Sequence, residues 1–130
     1  TGCYEVHDET TFRAALARMS HKEAAYTLTH VFAFADMPGH MISILDDGVL
    51  INHDDDANLA TNWHVPGPSF PIDAPRSVVT AALLSPRYAL VATRDIAAGA
   101  ELTNDYAKDV FDPDYYIALC EEYGVEEDYL

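Results

Sequence analysis

The chain has 130 residues, of which 49% are apolar, and its 22 acidic against 7 basic side chains give a formal net charge of −15. This size and composition exclude a wholly disordered protein and predict one compact domain, residues 1–130, with a buried core. The negative field repels nucleic-acid phosphates and anionic membranes and attracts cationic partners, although an acidic surface also serves solubility alone.

Neither a membrane-spanning segment nor an export signal is visible. No apolar run is long enough to cross a bilayer, and the start of the chain lacks the basic and apolar stretches of a signal peptide. Cys3 and Cys120 are too few for a disulfide scaffold and are not spaced as metal ligands. We therefore expect a reduced, intracellular location, with nucleus and cytoplasm not distinguished.

The N-terminal part of the chain predicts two short helices. Asp8 or Thr10 can cap the first one, because short polar side chains accept hydrogen bonds from the first helical turn. Apolar residues then recur at the spacing of one helical face: Phe12, Ala15, Leu16 and Met19. Ser20 and Glu23 form a capping-box pattern for the second helix. Core packing is the expected use of the apolar face.

The middle of the chain predicts short strands. Apolar and β-branched runs between turn residues cover residues 31–35, 40–45, 59–65, 78–84 and 88–93. The first two runs flank Met37-Pro38-Gly39, which indicates a β-hairpin. Residues 66–75 are crowded with prolines, which indicates an irregular surface loop within the fold rather than a linker between domains.

The C-terminal part predicts a turn and a final helix. Residues 97–100 form the turn, and the helix takes Asp112 as its N-cap, Pro113 in its first turn and Gly124 at its end. Its apolar face consists of Tyr116, Leu119, Cys120 and Tyr123. The whole order, two short helices, many short strands and one closing helix, indicates an α+β, mainly β, fold.

Two segments carry the functional signal. Residues 51–58 read Ile-Asn-His-Asp-Asp-Asp-Ala-Asn, and residues 92–106 read Ala-Thr-Arg-Asp-Ile-Ala-Ala-Gly-Ala-Glu-Leu-Thr-Asn-Asp-Tyr. The ordered pair resembles the two signature motifs of the SET domain, the protein-lysine methyltransferase fold. Asn52, His53 and Asn58 keep positions of the Asn-His-Ser-Cys-x-Pro-Asn motif, and the second segment is close to Gly-x-Glu-Leu-x-x-Asp-Tyr. The resemblance runs from about residue 31 to residue 123.

This resemblance implies an activity and a set of site residues. It implies an S-adenosylmethionine-dependent protein-lysine N-methyltransferase acting on a basic protein or lysine-containing peptide, with Tyr106 orienting the lysine amine. Asn52 and His53 would bind the cofactor together with Tyr106, Phe111 could pack on the adenine or in the core, and Asn58 would be structural. In the SET fold the C-terminal motif threads through a loop in a pseudoknot-like arrangement. The alternative is a non-catalytic SET-like module that binds a basic partner.

The chain also departs from the family pattern. Asp54, Asp55 and Ala57 replace Ser, Cys and Pro, so the zinc site that the cysteine serves in some members is not expected. The acidic triplet leaves a third and weaker hypothesis, a carboxylate metal site, although it lacks the spacing of a calcium loop and a solvated acidic turn is the commoner structure. We expect no bound metal.

Two further departures concern the cofactor pocket and the product. Asn104 holds the position at which many members place the Phe or Tyr that limits methyl number, so product multiplicity stays open. Residues 1–4 do not supply the Gly-x-Gly strand with which SET domains usually begin, so either the domain is N-terminally truncated or this member lacks the strand. The closing helix is then the candidate lid of the pocket.

Overall fold

The computed structural model describes residues 4–125, so Cys3 and most of the segment without a Gly-x-Gly strand lie outside the described residues. In chain order the helices and strands are β1 (Tyr4–Asp8), α1 (Glu9–Ala17), α2 (His21–Leu28), β2 (Val31–Phe32), β3 (His40–Ile44), β4 (Asn52–His53), β5 (Leu59–Thr61), α3 (Arg76–Ala82), β6 (Leu90–Ala92), β7 (Thr103–Asn104), α4 (Tyr106–Asp109) and α5 (Asp114–Glu122). Short 3-10 helices precede β4 (Asp47–Leu50) and β6 (Pro86–Tyr88). Among the described residues, no helix has the length and apolar character needed to cross a membrane.

The strands form two small sheets. The first is antiparallel, with β3 between β1 and β2, and contains the predicted hairpin of β2 and β3. The second has the order β4-β7-β5-β6, in which β7 runs parallel to both β4 and β5, while β6 is antiparallel to β5. The predicted mixture of short helices and strand-rich sheets is confirmed.

The second sheet contains an insertion that fixes the position of the C-terminal motif. β4 and β5 follow each other in the chain, joined by residues 54–58, yet β7 lies between them. Asn58 holds β7 in this gap: its side-chain amide donates to the carbonyl of Glu101 at 2.8 Å, and its oxygen accepts from the N–H of Thr103 at 2.9 Å. The side chain therefore makes the contacts that a strand backbone would make, in agreement with the predicted structural role of Asn58.

The two predicted N-terminal helices are present with their predicted caps. The Asp8 carboxylate, rather than Thr10, accepts from the N–H of Thr11 at 2.8 Å and begins α1. Ser20 and Glu23 form both hydrogen bonds of the capping box at the start of α2. Each cap satisfies backbone donors that the helix itself leaves free, so the helix boundaries follow from these side chains.

Two clusters of buried side chains make up the core. The first joins α1, α2 and α5 to β3, with Phe12, Leu16, Ala24, Leu28, Ala33, Met41, Tyr116, Leu119 and Cys120. The second lies between the first sheet and α3, with Val6, Phe34, Met37, Ile42, Ala74, Val79, Leu83 and Tyr88. In contrast, β4 and β6 of the second sheet are exposed along their length. The surface that carries the first motif is thus a solvent-facing one.

Several predicted elements are wrong, and the structure shows why. Residues 78–84 lie in and after helix α3 rather than in a strand, since Val79 and Leu83, four positions apart, are buried, while Val78 before them and Leu84 after them are exposed. That spacing is helical, and the β-branched valines concealed it. The strand predicted over residues 59–65 ends at Thr61.

The remaining differences concern boundaries and one missed strand. The strand predicted over residues 88–93 is shortened to Leu90–Ala92, because the chain forms a 3-10 helix up to Tyr88. Helix α5 has Pro113 rather than Asp112 as its N-cap. Strand β1 was not predicted, because its pairing partner β3 lies more than thirty residues further along the chain, with Tyr4 opposite Ile44 and Asp8 opposite His40.

We expect Asn58→Ala to destabilise the fold. The substitution removes the contacts to Glu101 and Thr103, and because each buried group that loses its partner costs about 1–3 kcal/mol, the free energy of unfolding should fall by about 2–4 kcal/mol. Urea denaturation followed by circular dichroism measures this change. Asn52→Ala is the matched control, because exposed substitutions away from such contacts usually stay within about 0.5 kcal/mol. Equal effects of the two substitutions would contradict the role given to Asn58.

We expect His40 to make the fold sensitive to mild acid. His40 is 0% exposed, and burial lowers its pKa below the ordinary value of 6.5, against smaller opposing effects of the Ala74 backbone and Asp8. The His40 side chain of the unfolded chain therefore binds a proton near pH 6.5, whereas that of the folded chain binds one only at lower pH. The free energy of unfolding consequently falls as the pH drops from about 6.5 toward the folded pKa. The change in unfolding free energy between about pH 7.5 and about pH 5.5 should be smaller in His40→Leu than in the unchanged chain. Exposed His64→Gln should keep the original change, and a His40→Leu slope equal to it would refute the assignment.

Candidate active site

Tyr106, the predicted catalytic residue, is held against β4 by two hydrogen bonds. It is the first residue of α4 and is half-buried. Its hydroxyl donates to the carbonyl of Ile51, the residue just before β4, and its backbone N–H donates to Nδ1 of His53 at 3.1 Å. The structure thus brings the tyrosine of the second motif onto the Asn-His segment of the first motif, over more than fifty residues of sequence.

His53 is engaged through both of its ring nitrogens. Since a backbone N–H can only donate, Nδ1 accepts from Tyr106 and the proton of a neutral ring lies on Nε2. Nε2 then donates to the Asp55 carboxylate at 2.8 Å. The His53 and Tyr106 rings are also neighbours, with centroids 5.3 Å apart. The histidine therefore links the acidic turn to the tyrosine and fixes the start of α4.

Helix α4 depends on its surroundings because it is only four residues long. Asp105 begins it as N-cap, its side chain accepting from the N–H of Ala107 at 3.1 Å. Lys108, in the last turn, has its Nζ 3.7 Å from the Asp105 carboxylate. The ion pair contributes little because Lys108 is exposed, and the cap satisfies a backbone donor within the helix itself, so neither contact ties α4 to β4.

Asn52 and His53 present the outer edge of the second sheet. The N–H of Asp54 donates to the carbonyl of Asn104 in β7 at 3.2 Å, and backbone groups of successive strand residues face opposite edges. The N–H and C=O of His53 therefore face away from β7, on the edge where the described residues contain no further strand. Beside them the Asn52 side chain, also exposed, lies 3.4 Å from the Glu101 carboxylate.

Phe111 lies outside both core clusters. Its backbone forms an isolated bridge with Ala33, whose carbonyl accepts from the Phe111 N–H at 2.8 Å, and its side chain is 38% exposed. The bridge ties the segment after α4 to the first sheet. Phe111 is thus tied to the first sheet through its backbone, and the residue is partly exposed.

The three consecutive aspartates each have a different partner. Asp54 accepts from the N–H of Asp56, Asp55 accepts from His53, and the Asp56 carboxylate pairs with Arg94 at 2.9 Å. These contacts account for a solvated acidic turn. Within residues 4–125, the ligand atoms near enough to share a cation, within 4.8 Å, belong to His53, Asp55 and Asp105. Both nitrogens of that histidine are already used in hydrogen bonds.

Asp109 is a buried residue of the site that no sequence signal indicated. It lies at the end of α4, is 7% exposed, and accepts hydrogen bonds from Thr61, Trp63 and Asn104. A carboxylate in a short polar segment carries no pattern that distinguishes it from a surface residue.

Asn104, at the position that often limits methyl number, is buried as well and also donates to the carbonyl of Leu59. The Asn104 amide nitrogen is therefore fully used in hydrogen bonds within the sheet and to Asp109.

Burial sets the protonation state of the tyrosine. Desolvation raises the pKa of Tyr106 above its ordinary value of 10, because the surrounding protein disfavours the phenolate. The hydroxyl is therefore neutral at physiological pH. A neutral hydroxyl keeps a proton to donate to Ile51 and oxygen lone pairs to accept from another group.

Comparison with known proteins identifies the family to which the chain belongs. The SET domain family matches residues 18–107, which is more than half of the chain and includes both motifs. The chain therefore belongs to the SET domain family, whose members are typically protein-lysine methyltransferases that use S-adenosylmethionine. No curated protein and no solved structure matches it significantly.

We expect the Tyr106 phenol to titrate above the ordinary value of 10, for the reason of burial given above. Nuclear magnetic resonance of tyrosine labelled at Cζ follows this titration directly, and the signal is assigned by its loss in Tyr106→Phe. The assignment matters because burial also raises the pKa of Tyr88, to about 12. A Tyr106 signal that titrates at or below the value of a free tyrosine side chain would show that the ring is solvated and not held as described.

Proposed function

We propose that this chain is an S-adenosylmethionine-dependent protein-lysine N-methyltransferase that acts on basic protein substrates. The observation that carries the proposal is the attachment of Tyr106 to the Ile51–His53 segment, through the Ile51 carbonyl and the His53 ring. This contact unites a neutral hydroxyl with an open strand edge on one surface. Membership of the SET domain family supports the reaction class.

The reaction requires alignment more than acid–base chemistry. Bound S-adenosylmethionine supplies a methyl group on a positively charged sulfur. A neutral lysine amine would attack that carbon, with the C–N bond forming as the C–S bond breaks, so that sulfur leaves as a neutral thioether and the methylated ammonium then releases its proton to solvent. Holding the reacting atoms in line is worth about 7–11 kcal/mol, which is the contribution that a rigid site can make.

Tyr106 is suited to orient the amine. Its hydroxyl proton is used in the bond to Ile51. The lone pairs of its oxygen therefore remain available to accept a hydrogen bond from an amine N–H. Accepting this hydrogen directs the nitrogen lone pair along a fixed line. Because burial raises the pKa of Tyr106, the hydroxyl does this without placing a negative charge beside the sulfonium and without trapping the amine as an ammonium ion.

The exposed edge at β4 fits an adenine cofactor. Adenine presents a neighbouring donor and acceptor, its 6-amino group and N7. The outward N–H and C=O of His53 match this pair, and the exposed Asn52 amide adds a donor and an acceptor next to them. The partly exposed Phe111 ring offers an apolar face for stacking. These residues would hold the cofactor with its sulfur near Tyr106.

The charge around the site favours a basic substrate. Asp54, Asp55, Asp56 and Glu101 are exposed near Asn52 and His53, and the whole chain carries a formal charge of −15. Such a field raises the local concentration of cationic chains and speeds their encounter with the site. It also stabilises the charged ammonium, so the target lysine must give up its proton to solvent as it enters beside Tyr106.

A second candidate function is a SET-like module that binds a basic partner without catalysis. The observation in its favour is that the Asp55 carboxylate accepts a hydrogen bond from His53. The acidic turn is therefore in contact with one of the residues assigned to cofactor binding. In this case the acidic surface alone would carry the function.

The test combines cofactor binding with methyl transfer. Isothermal titration with S-adenosylmethionine should show saturable binding, and tritiated cofactor should label some members of a library of Lys- and Arg-rich peptides. Tyr106→Phe should bind the cofactor as before while kcat falls at least about 10²-fold, since loss of alignment at this centre has effects of that size. Tyr26→Phe is the matched control, because Tyr26 lies on α2 and is 66% exposed.

Each outcome separates the two candidates. Peptide binding without cofactor binding would identify the non-catalytic module. Cofactor binding with unchanged turnover in Tyr106→Phe would remove the tyrosine from its role, and binding of neither ligand would end both proposals.

A further inference from the structure

We propose that Asp109 is a positioning residue for Tyr106, fixing the C-terminal end of the helix that carries the tyrosine to the second sheet. The inference rests on the proposed function, but its structural part can be measured without methyl transfer. Asp109 belongs to neither motif and follows the second one by three positions, although Asn104 of that motif donates to it.

The Asp109 carboxylate collects four hydrogen bonds. Oδ2 accepts from the Thr61 N–H at 2.7 Å, from the Thr61 hydroxyl at 2.9 Å and from the Asn104 amide at 2.8 Å, and Oδ1 accepts from the Trp63 indole at 3.2 Å. Hydrogen bonds to an ionised acceptor are shorter and stronger than neutral ones. The donors come from β5, the segment after it and β7, so one side chain joins α4 to both strands.

In the part of the chain that the structure describes, no cationic side chain pairs with this carboxylate. Within residues 4–125, no Lys, Arg or His nitrogen lies within 4.0 Å of the Asp109 oxygens. A buried charge is costly unless neighbouring groups solvate it, and here neutral donors do so entirely. The arrangement is consequently strict: an acceptor of different shape or charge would leave several buried donors unsatisfied.

Helix α4 requires such an anchor. Its four residues cannot form a stable helix alone, and the contacts of Tyr106 to His53 and Ile51 hold only its N-terminal end. Asp109 holds the other end, one helical turn away. With both ends attached, the distance from the tyrosine oxygen to the β4 edge is fixed by the sheet, because β7 is paired to β4 and β5 at once.

The anchor also sets the geometry in the region of the reacting atoms. Misplacement of a positioned group by about 1 Å can reduce a rate by about 10²-fold even when the altered residue does not touch the substrate. Loss of the Asp109 contacts should therefore act on the chemical step. The cofactor-binding residues Asn52 and His53 belong to β4 and lie outside the Asp109 network, so cofactor binding should change little.

The main variant is Asp109→Asn, which keeps the side-chain volume. It replaces one carboxylate oxygen, which accepts, by an amide group, which donates and therefore faces the donors of Thr61, Trp63 or Asn104 unpaired. We expect kcat to fall about 10-fold to about 10²-fold, while KM for the best basic peptide and Kd for S-adenosylmethionine change less than about threefold. We also expect the Tyr106 phenol, followed by its labelled Cζ, to titrate at lower pH than in the unchanged chain, because a loosened α4 exposes the ring.

Thr61 provides a matched pair of variants with milder effects. Thr61→Ser keeps both donors to Asp109, and Thr61→Val keeps the volume and the N–H but removes the hydroxyl donor. Thr61→Ser should retain kcat and the Tyr106 titration, and Thr61→Val should shift both in the direction of Asp109→Asn. In the double variant Thr61→Val/Asp109→Asn, the fold-decrease in kcat should be smaller than the product of the two single fold-decreases, since both substitutions interrupt the same bond.

The possible results are distinguishable. If Asp109→Asn and Thr61→Val lower the melting temperature but leave kcat and the Tyr106 titration unchanged, Asp109 is only structural and the proposal is overturned. If Asp109→Asn does not fold, the Thr61 pair decides by the same measurements. If the unchanged chain transfers no methyl group, the proposed function fails, while the Tyr106 titration in the variants still supports or refutes the positioning role.

Discussion

The insertion of β7 between β4 and β5 is the constraint on which the rest of the structure depends. It places the end of the second motif beside the first, and Asn58 holds it there by donating to Glu101 and accepting from Thr103. Without this pairing, Tyr106 would begin a short helix with no fixed relation to β4. The site is therefore a property of sheet topology rather than of any single loop.

The residues around Tyr106 form two layers that differ in their exposure to solvent. The exposed layer contains Asn52, His53 and the acidic turn, whose side chains face solvent. The buried layer has Asp109 at its centre, where its carboxylate accepts hydrogen bonds from the buried residues Thr61 and Asn104. Tyr106 lies at the boundary between the layers, where burial raises its pKa and keeps its hydroxyl neutral while the residue stays partly exposed.

Local patterns in the sequence were sufficient for the caps and the motifs. Ser20 and Glu23 are three residues apart, and their contacts are made within the same turn, so the capping box was predicted and confirmed. Residues 78–84 misled because Val78 and Val79 favour strands by propensity, whereas the burial of Val79 and Leu83 has helical spacing. The Asp109 network was not predictable, since its bonds to Thr61 and Trp63 span more than forty-five residues and leave no periodic trace.

The insertion of β7 between β4 and β5 has a consequence for the order in which the chain folds. The gap between β4 and β5 must stay open until β7, forty-five residues beyond Asn58, arrives to fill it. Contacts of such long sequence separation form late, because a large loop must close before they stabilise anything. During synthesis the open gap presents unpaired strand edges, so the second sheet is the part of the domain most exposed to misassembly before the C-terminal segment has emerged.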